Sequence, residues 1–363
     1  MEIKDVIPLL FLEQTPEILE LIDITDDSFL KEPLFFAFFN SKKEYGVLNE
    51  IIQGYLLKNS NLKIEHSLNK NRIAYIPKLG YFNEEKKLVD DILVIEELEI
   101  IKELHPLLEP YLFEYYKGHI TNHNPTYIPT WKDHIDLFKQ AITLIKNHLP
   151  LFFQDFQFAN KKIFFHNNTK ILNFTSIETL GMLYFYTSDN TTLMYFIEEL
   201  IHQGAHNILY HKLFFRKDFF IIDPVKSIMR DFTKQAWDYR DIYGAFHGVY
   251  TVLKRLECYD ILIKKNILKG KDKHELFGRL ADQFPRFRTG LELLDLDEVY
   301  TKKGKELYLE LDKKCETILK KYEKIVPFFD LSFRDLDFNY SDFIIANPID
   351  DFLEAEKKGF FNF

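Results

Sequence analysis

Residues 195–211 read Y-F-I-E-E-L-I-H-Q-G-A-H-N-I-L-Y-H. Leu193, Phe196 and Ile197, Leu200 and Ile201, Ala205, and Ile208 and Leu209 recur at steps of three and four, so the stretch predicts a helix with a broad buried face. Glu199, His202 and His206 fall at i, i+3 and i+7 along a neighbouring stripe. Two histidines four apart on a helix have the spacing of a metal pair, as in the H-E-x-x-H zinc hydrolases, whose Glu is the general base acting on metal-bound water. Here that position is Gln203, and an amide accepts no proton near neutral pH. The stretch therefore argues for a metal on His202 and His206 and against a standard metallopeptidase.

The rest of the composition bounds what such a site can serve. With 363 residues, 46% of them hydrophobic, the chain is long enough for a substantial core. Acidic and basic residues are intermixed around a net charge of −9, with no basic stripe, so nucleic acid is not an expected partner. The two cysteines, Cys258 and Cys315, are far apart, which fits a reducing compartment and excludes a cysteine-ligated zinc. No apolar run approaches the ~20 residues of a membrane span, and the N-terminus lacks a signal-peptide pattern, so a cytoplasmic protein without a membrane partner is expected. The 36 Phe and 20 Tyr read mostly as core filling.

Working outward, residues 1–60 read as short helices, with start signals at Thr15-Pro16 and Asp26-Asp27-Ser28. Residues 62–81 alternate around Asn69-Lys70-Asn71 and predict a strand pair or an extended segment, with His66 a surface strand residue. Residues 84–116 read as one helix to about 104 and, past Pro106 and Pro110, a second shorter piece, and 118–130 as a loop whose His119 and His123 share the four-residue spacing but sit among prolines and polar residues. Helical spacing resumes over 131–148. L-F-F-Q-D-F-Q-F (151–158), K-I-F-F-H (162–166) and residues 214–224 read as strands or a hairpin, and the strand read in F-T-S-I-E-T-L-G-M-L-Y-F-Y (174–186) feeds through 187–190 into the His202 helix. A second helix is predicted from about Asp238, and the chain is strongly helical from about 261. The expected fold is α+β, predominantly helical, with a small central β-sheet carrying a two-helix metal site. Its expected regions are a helical 1–149, a metal-binding core over 150–260 and a helical 261–363.

On the second predicted helix, Arg240, Tyr243, His247 and Tyr250 fall on one face, an odd set to turn toward a core and a natural wall for a metal and a carboxylate. Gly244 and Gly248 in that helix suggest the close approach of another element. The segments L-G-M-L-Y-F, L-I-H-Q-G-A-H and W-D-Y-R-D-I-Y-G-A-F-H-G-V-Y, in that order over about 175–255, resemble the HExxH-motif proteins of ribosomal-peptide maturation, which include iron- and 2-oxoglutarate-dependent peptide β-hydroxylases. Two positions depart from the family pattern: Gln203 replaces its Glu and Asp241 replaces the Pro after Arg240.

The resemblance implies an oxygenase that modifies a ribosomally made precursor peptide, with Fe(II) and 2-oxoglutarate as cofactors. Such chemistry needs three protein ligands on one face of the ion and a cation for the distal carboxylate. His202, His206 and His247 can supply the first, and Arg240 the second with paired N–H donors. The usual third ligand is a carboxylate, so Glu199, Asp223 and Asp238 remain alternatives to His247. Glu199, Gln203 and Tyr243 are read as supporting residues, Glu199 by accepting from and orienting a histidine. Arg286 to Gly290, R-F-R-T-G, is a basic segment able to help hold an acidic peptide or cosubstrate, or a solvated connection between helices. Two rival readings stay open: a zinc-dependent metallohydrolase recruiting Glu199 as base, and a degenerate, metal-free peptide-binding module. The oligomeric state is not legible.

Overall fold

The computed structural model describes residues 5–41, 45–57, 65–114, 126–332 and 338–363. They form an α+β, mostly helical protein whose strands make an antiparallel three-stranded sheet and a mixed four-stranded one. The chain divides into two units, one of Met1–Lys139 and Gln154–Asp189, the other of Gln140–Phe153 and Asn190–Phe363.

The first unit opens with short helices, α1 (Val6–Gln14), α2 (Asp27–Leu30), α3 (Pro33–Asn40) and α4 (Tyr45–Ile52). Of the two start signals, the Asp26 carboxylate caps α2, while Thr15-Pro16 opens only a 3-10 turn without a side-chain cap; Pro33 occupies the first turn of α3. The rings of Phe11, Phe29, Phe35 and Tyr55 interlock between them. Strands β1 (Ala74–Ile76), β2 (Gly80–Phe82) and β3 (Leu88–Asp90) make one sheet; β4 (Leu93–Ile95), β5 (Leu98–Ile101), β6 (Lys162–His166) and β7 (Met182–Tyr186) make the other, parallel from β5 onward. Inside this unit Lys162 is buried, its ammonium 3.1 Å from Glu32, 2.5 Å from Glu99 and 2.7 Å from the Tyr75 hydroxyl. Burial disfavours the ammonium, but the two carboxylates outweigh it and raise its pKa.

Several local expectations are corrected. The first hairpin turns at Pro77–Leu79, not at Asn69–Asn71, and His66 precedes it outside any strand. The helix expected over 84–104 is three strands, β4 and β5 being joined by a tight turn in which Glu96 and Glu97 both take positive φ, 49° and 66°. The run 151–158 is a helix, α7 (Pro150–Ala159), following α6 (Trp131–His148). Its Phe152, Phe153 and Phe156 are buried at helical spacing while Leu151 is 82% exposed. Residues 214–224 hold a 3-10 turn and a single bridge, Phe220 to Tyr300, in place of a hairpin. His119 and His123 lie outside the described residues, as does most of the loop predicted there.

After α5 (Glu109–Glu114), α6 and α7, the second unit is helical: α8 (Leu193–Lys212), α9 (Met229–Thr233), α10 (Ile242–Lys265), α11 (Gly270–Leu291), α12 (Lys302–Tyr322), α13 (Tyr340–Ala346) and α14 (Ile349–Lys357). The Thr192 hydroxyl caps α8, two residues beyond the polar cluster expected to launch it. No helix among the described residues is long and apolar enough to cross a membrane. Gly304 marks a tight joint, since a Cβ there would lie 1.9 Å from the Phe219 carbonyl oxygen and 2.8 Å from its carbon. Backbone cannot retreat as a side-chain tip can, because Phe219 O also accepts from Thr301 N at 3.0 Å. Gly304→Ala is expected to destabilise the protein by ~1–3 kcal/mol through overpacking. Urea unfolding with an unchanged midpoint would show that the joint yields.

Candidate functional site

Helices α8 and α10 run antiparallel, and their contacts keep one register. Glu198 pairs with Arg255 at 3.0 Å, His206 meets His247, and the rings of Tyr210 and Tyr243 lie 6.3 Å apart. Each rung climbs α8 as far as it descends α10. By the same count His202 faces Thr251, and both border a cleft of about 320 Å³ whose wall also includes Arg240, Arg255 and, from α11, Arg286. The structure thus brings His202, His206 and His247 together, with ring centroids 5.2 Å apart for the first pair and 5.3 Å for the second.

The rings are grouped without converging on one point. The Nδ1 atoms of His206 and His247 are 3.0 Å apart, and the ring planes differ by 13°. The centroid separation exceeds the N···N distance by about two ring radii, so both nitrogens lie on the line joining the rings, which meet edge to edge. That is an N–H···N hydrogen bond, one imidazole donating and the other accepting. An ion on that line would need about 2.1 Å to each nitrogen, roughly 4 Å in all, so the gap suits a proton. Among the described residues no group of three His, Cys, Asp or Glu side chains is placed to hold a metal ion. As oriented, the trio does not fit a three-ligand centre, although its donors are of the right kind: His247 Nε2 is buried without a hydrogen-bond partner.

The supporting residues divide. Glu199 accepts from the Gln203 amide at 3.1 Å and lies 3.7 Å from His202 Nδ1, so its carboxylate runs along its own helix beside the histidine. Asp223 is engaged in a turn with Val225 and Lys226. Asp238 is held by Arg240, at 2.8 Å from Nε and 2.7 Å from Nη2, and these hydrogen bonds lower its pKa. Neither aspartate is grouped with the histidines as a third ligand.

Arg240 itself is not on the helix as expected. Asp241, the residue that departs from the family's Pro, caps α10 by accepting from Gly244 N, so the helix starts at Ile242. Arg240 belongs to a loop closed by Met229 N to Arg240 O and Ile242 N to Ser227 O, both 2.9 Å. The expected close approach at the glycines is not seen among the described residues: a Cβ on Gly244 would meet only the capping Asp241, and one on Gly248 would meet none of them within 4 Å beyond its own helix backbone. Arg286 lies within α11, half-buried, its Nε bonded to Asp282 at 2.8 Å.

Three residues escaped the sequence reading. Tyr210 packs 4.7 Å from His247, continuing the four-residue stripe of His202 and His206, and Arg255 continues that of His247 and Thr251. Those periodicities could have found both. Arg216, whose guanidinium lies 4.6 Å over the Tyr243 ring, is placed by a 3-10 turn that no spacing rule reveals.

No protein-family model and no curated protein matches this chain. The geometry has to carry the chemistry alone.

Burial, reinforced by nearby positive charge, holds the imidazoles of His206 and His247 neutral, the first well below its ordinary range and the second down to about 3. Burial would push the Glu198 carboxyl up, but Arg279 and Arg255 outweigh it and hold it at about 2. All three groups have folded values below the unfolded ones, so below those values the unfolded chain binds more protons and stability is lost as pH falls. The histidine loss begins near the ordinary 6.5 and the Glu198 loss near 4.5. Urea midpoints should therefore decline from about pH 6.5 downward, and His247→Leu should flatten the decline above about pH 4.5 by close to one proton. An unaltered slope in that variant would mean that the folded imidazole already carries its proton.

Proposed function

We propose that this chain is an Fe(II)- and 2-oxoglutarate-dependent oxygenase that hydroxylates a ribosomally made precursor peptide in the cytoplasm. The observation that carries the reading is one juxtaposition. His202, from the segment resembling a metal motif, and Arg240, from the segment resembling a carboxylate anchor, border the same cleft. Sequence separates them widely, and each was singled out for a different half of the same chemistry.

What the chain's own residues do in this reading is bind and orient. Arg240 is turned by buried Asp238 so that one edge of its guanidinium is held while Nη1 remains available to a carboxylate. Tyr210 and Tyr243 flank His247 and exclude water from it. The buried imidazoles of His206 and His247 are held neutral, the form a divalent ion takes. Because His206 and His247 share a proton as oriented, no reaction step is assigned to a bound ion.

That same contact favours a second reading, a metal-free module that binds an acidic peptide in the cleft. Iron content separates the two. Anaerobic protein offered Fe(II) should take up stoichiometric iron, and His202→Ala or His206→Ala should lower occupancy by more than about tenfold. Arg240→Lys should keep iron yet weaken 2-oxoglutarate by about tenfold, read from charge-transfer absorbance, since an ammonium cannot be held by a forked pair to Asp238 and still aim a further N–H at the ligand. Wild-type protein that refuses iron would leave the metal-free module standing.

A further inference from the structure

Helix α10 gives the cleft Ala245, Gly248, Val249, Thr251, Val252 and Arg255. From Ala245 to Arg255 this face runs about 15 Å along the helix axis. Arg240 precedes the first turn of α10, and Arg255 closes the series at its other end.

Arg255 is only 5% exposed. Its Nε reaches Thr251 O at 3.4 Å and its Nη1 reaches Glu198 at 3.0 Å. Among the described residues Nη2 has no acceptor, and it is not one of the buried unpartnered atoms, so this end of an otherwise buried guanidinium opens to the cleft with its N–H donors available. Its other edge is heavily braced. Glu198 also accepts from Arg279 at 2.6 Å, Arg279 is held by Glu275 at 2.9 and 2.7 Å, and Glu275 accepts from the Thr192 hydroxyl at 2.7 Å.

Gly248 is a second, independent sign. Glycine inside a helix is destabilising relative to alanine, and here, among the described residues and apart from the helix's own backbone, no atom lies within 4 Å of the missing Cβ. What its absence preserves is open cleft beside Arg255. Gly290, on the α11 side, differs: its Cβ would press on Val249 at 3.1 Å.

We propose that Arg255 anchors a carboxylate-binding subsite separate from Arg240, floored by Gly248 and flanked by Arg286. A monoanion suits it. Among the described residues the three arginines of the wall are each matched by an acid, Asp238, Glu198 or Asp282, so they offer directed donors with little net charge between them. The carboxylate belongs to an acidic side chain, or to a chain terminus, of a ligand extended along α10. That the ligand is a peptide rests on the proposed function; the binding does not.

Calorimetry in chelator, with no iron present, tests this independently of the oxygenase reading. The probes are N-acetylglutamate α-amide for a side-chain acid, N-acetylalanine for a chain terminus, N-acetylglutamine amide as the neutral match, and inorganic phosphate. At least one carboxylate probe should bind tenfold or more tighter than the neutral one, and the preferred probe names the source. Arg255→Lys should reduce that binding about tenfold. Gly248→Leu should do the same by occupying the floor while leaving the thermal midpoint unchanged or higher, which covers a poorly folding Arg255 variant. Equal binding of neutral and charged probes, preference for phosphate, or wild-type binding by a folded Gly248→Leu would each overturn the subsite.

Discussion

Glu198 lies between two guanidiniums inside the second unit, 3.0 Å from Arg255 and 2.6 Å from Arg279, and through it α8, α10 and α11 are tied at one point. Such a cluster is a poor source of net stability, because each buried ion loses several kcal/mol of hydration that attraction only roughly returns. Its effect is on register. A slip of either helix by one residue would turn Glu198 away from Arg255 and leave buried charges uncompensated. With the Glu198 rung fixed, the others follow: His202 faces Thr251, His206 meets His247 and Tyr210 meets Tyr243.

The ladder has two chemically opposite ends. Toward Glu198 it is ionic and borders the cleft; toward Tyr210 it is aromatic, with Tyr243 buried and Tyr210 half-buried. Two imidazoles between these ends cannot both be cations, because a shared Nδ1–H···Nδ1 bond needs one nitrogen without its proton. Arg216 at the aromatic end also opposes a second positive charge at His247. The position of the pair therefore explains its neutrality without appeal to a ligand.

Much of this was legible in sequence, because α8 and α10 are long and periodic. The pairing of His206 with His247 could be expected once both helices were recognised, but the register could not, since Glu198 to Arg255 is a contact between residues that local periodicity treats separately. Ring orientation was beyond reach for a similar reason: spacing fixes which Cα atoms share a stripe and says nothing of how the rings turn. Arg240 was misplaced by a single residue type, Asp241, which suits a cap and so starts the helix after Arg240. In the first unit, turn chemistry misled. Glu96 and Glu97 take a backbone conformation usually given to Gly or Asn, so acidic residues that look helical conceal a hairpin. Conversely the aromatic richness of α7 suggested a strand, although Phe152, Phe153 and Phe156 already followed a helical stripe.

Gln203 draws these strands together. It is 4% exposed and donates its amide to Glu199, one turn earlier and itself buried. A glutamate at this position would set two buried carboxylates about one hydrogen-bond length apart, with Glu198 adjacent in sequence, and like charges so close cannot both ionise. One acid would hold a proton shared with the other and make a poor base toward water in the cleft. Restoring the hydrolase sequence by Gln203→Glu should therefore yield no peptidase activity and should raise the pKa of the resulting carboxyl pair above the ordinary carboxylate range, visible in carboxyl-labelled spectra. The glutamine is better understood as a donor than as a lost base. Its amide nitrogen lies 3.1 Å from the Glu199 carboxylate and 3.4 Å from His202 Nδ1, so it can donate to both side chains and hold them beside each other on α8.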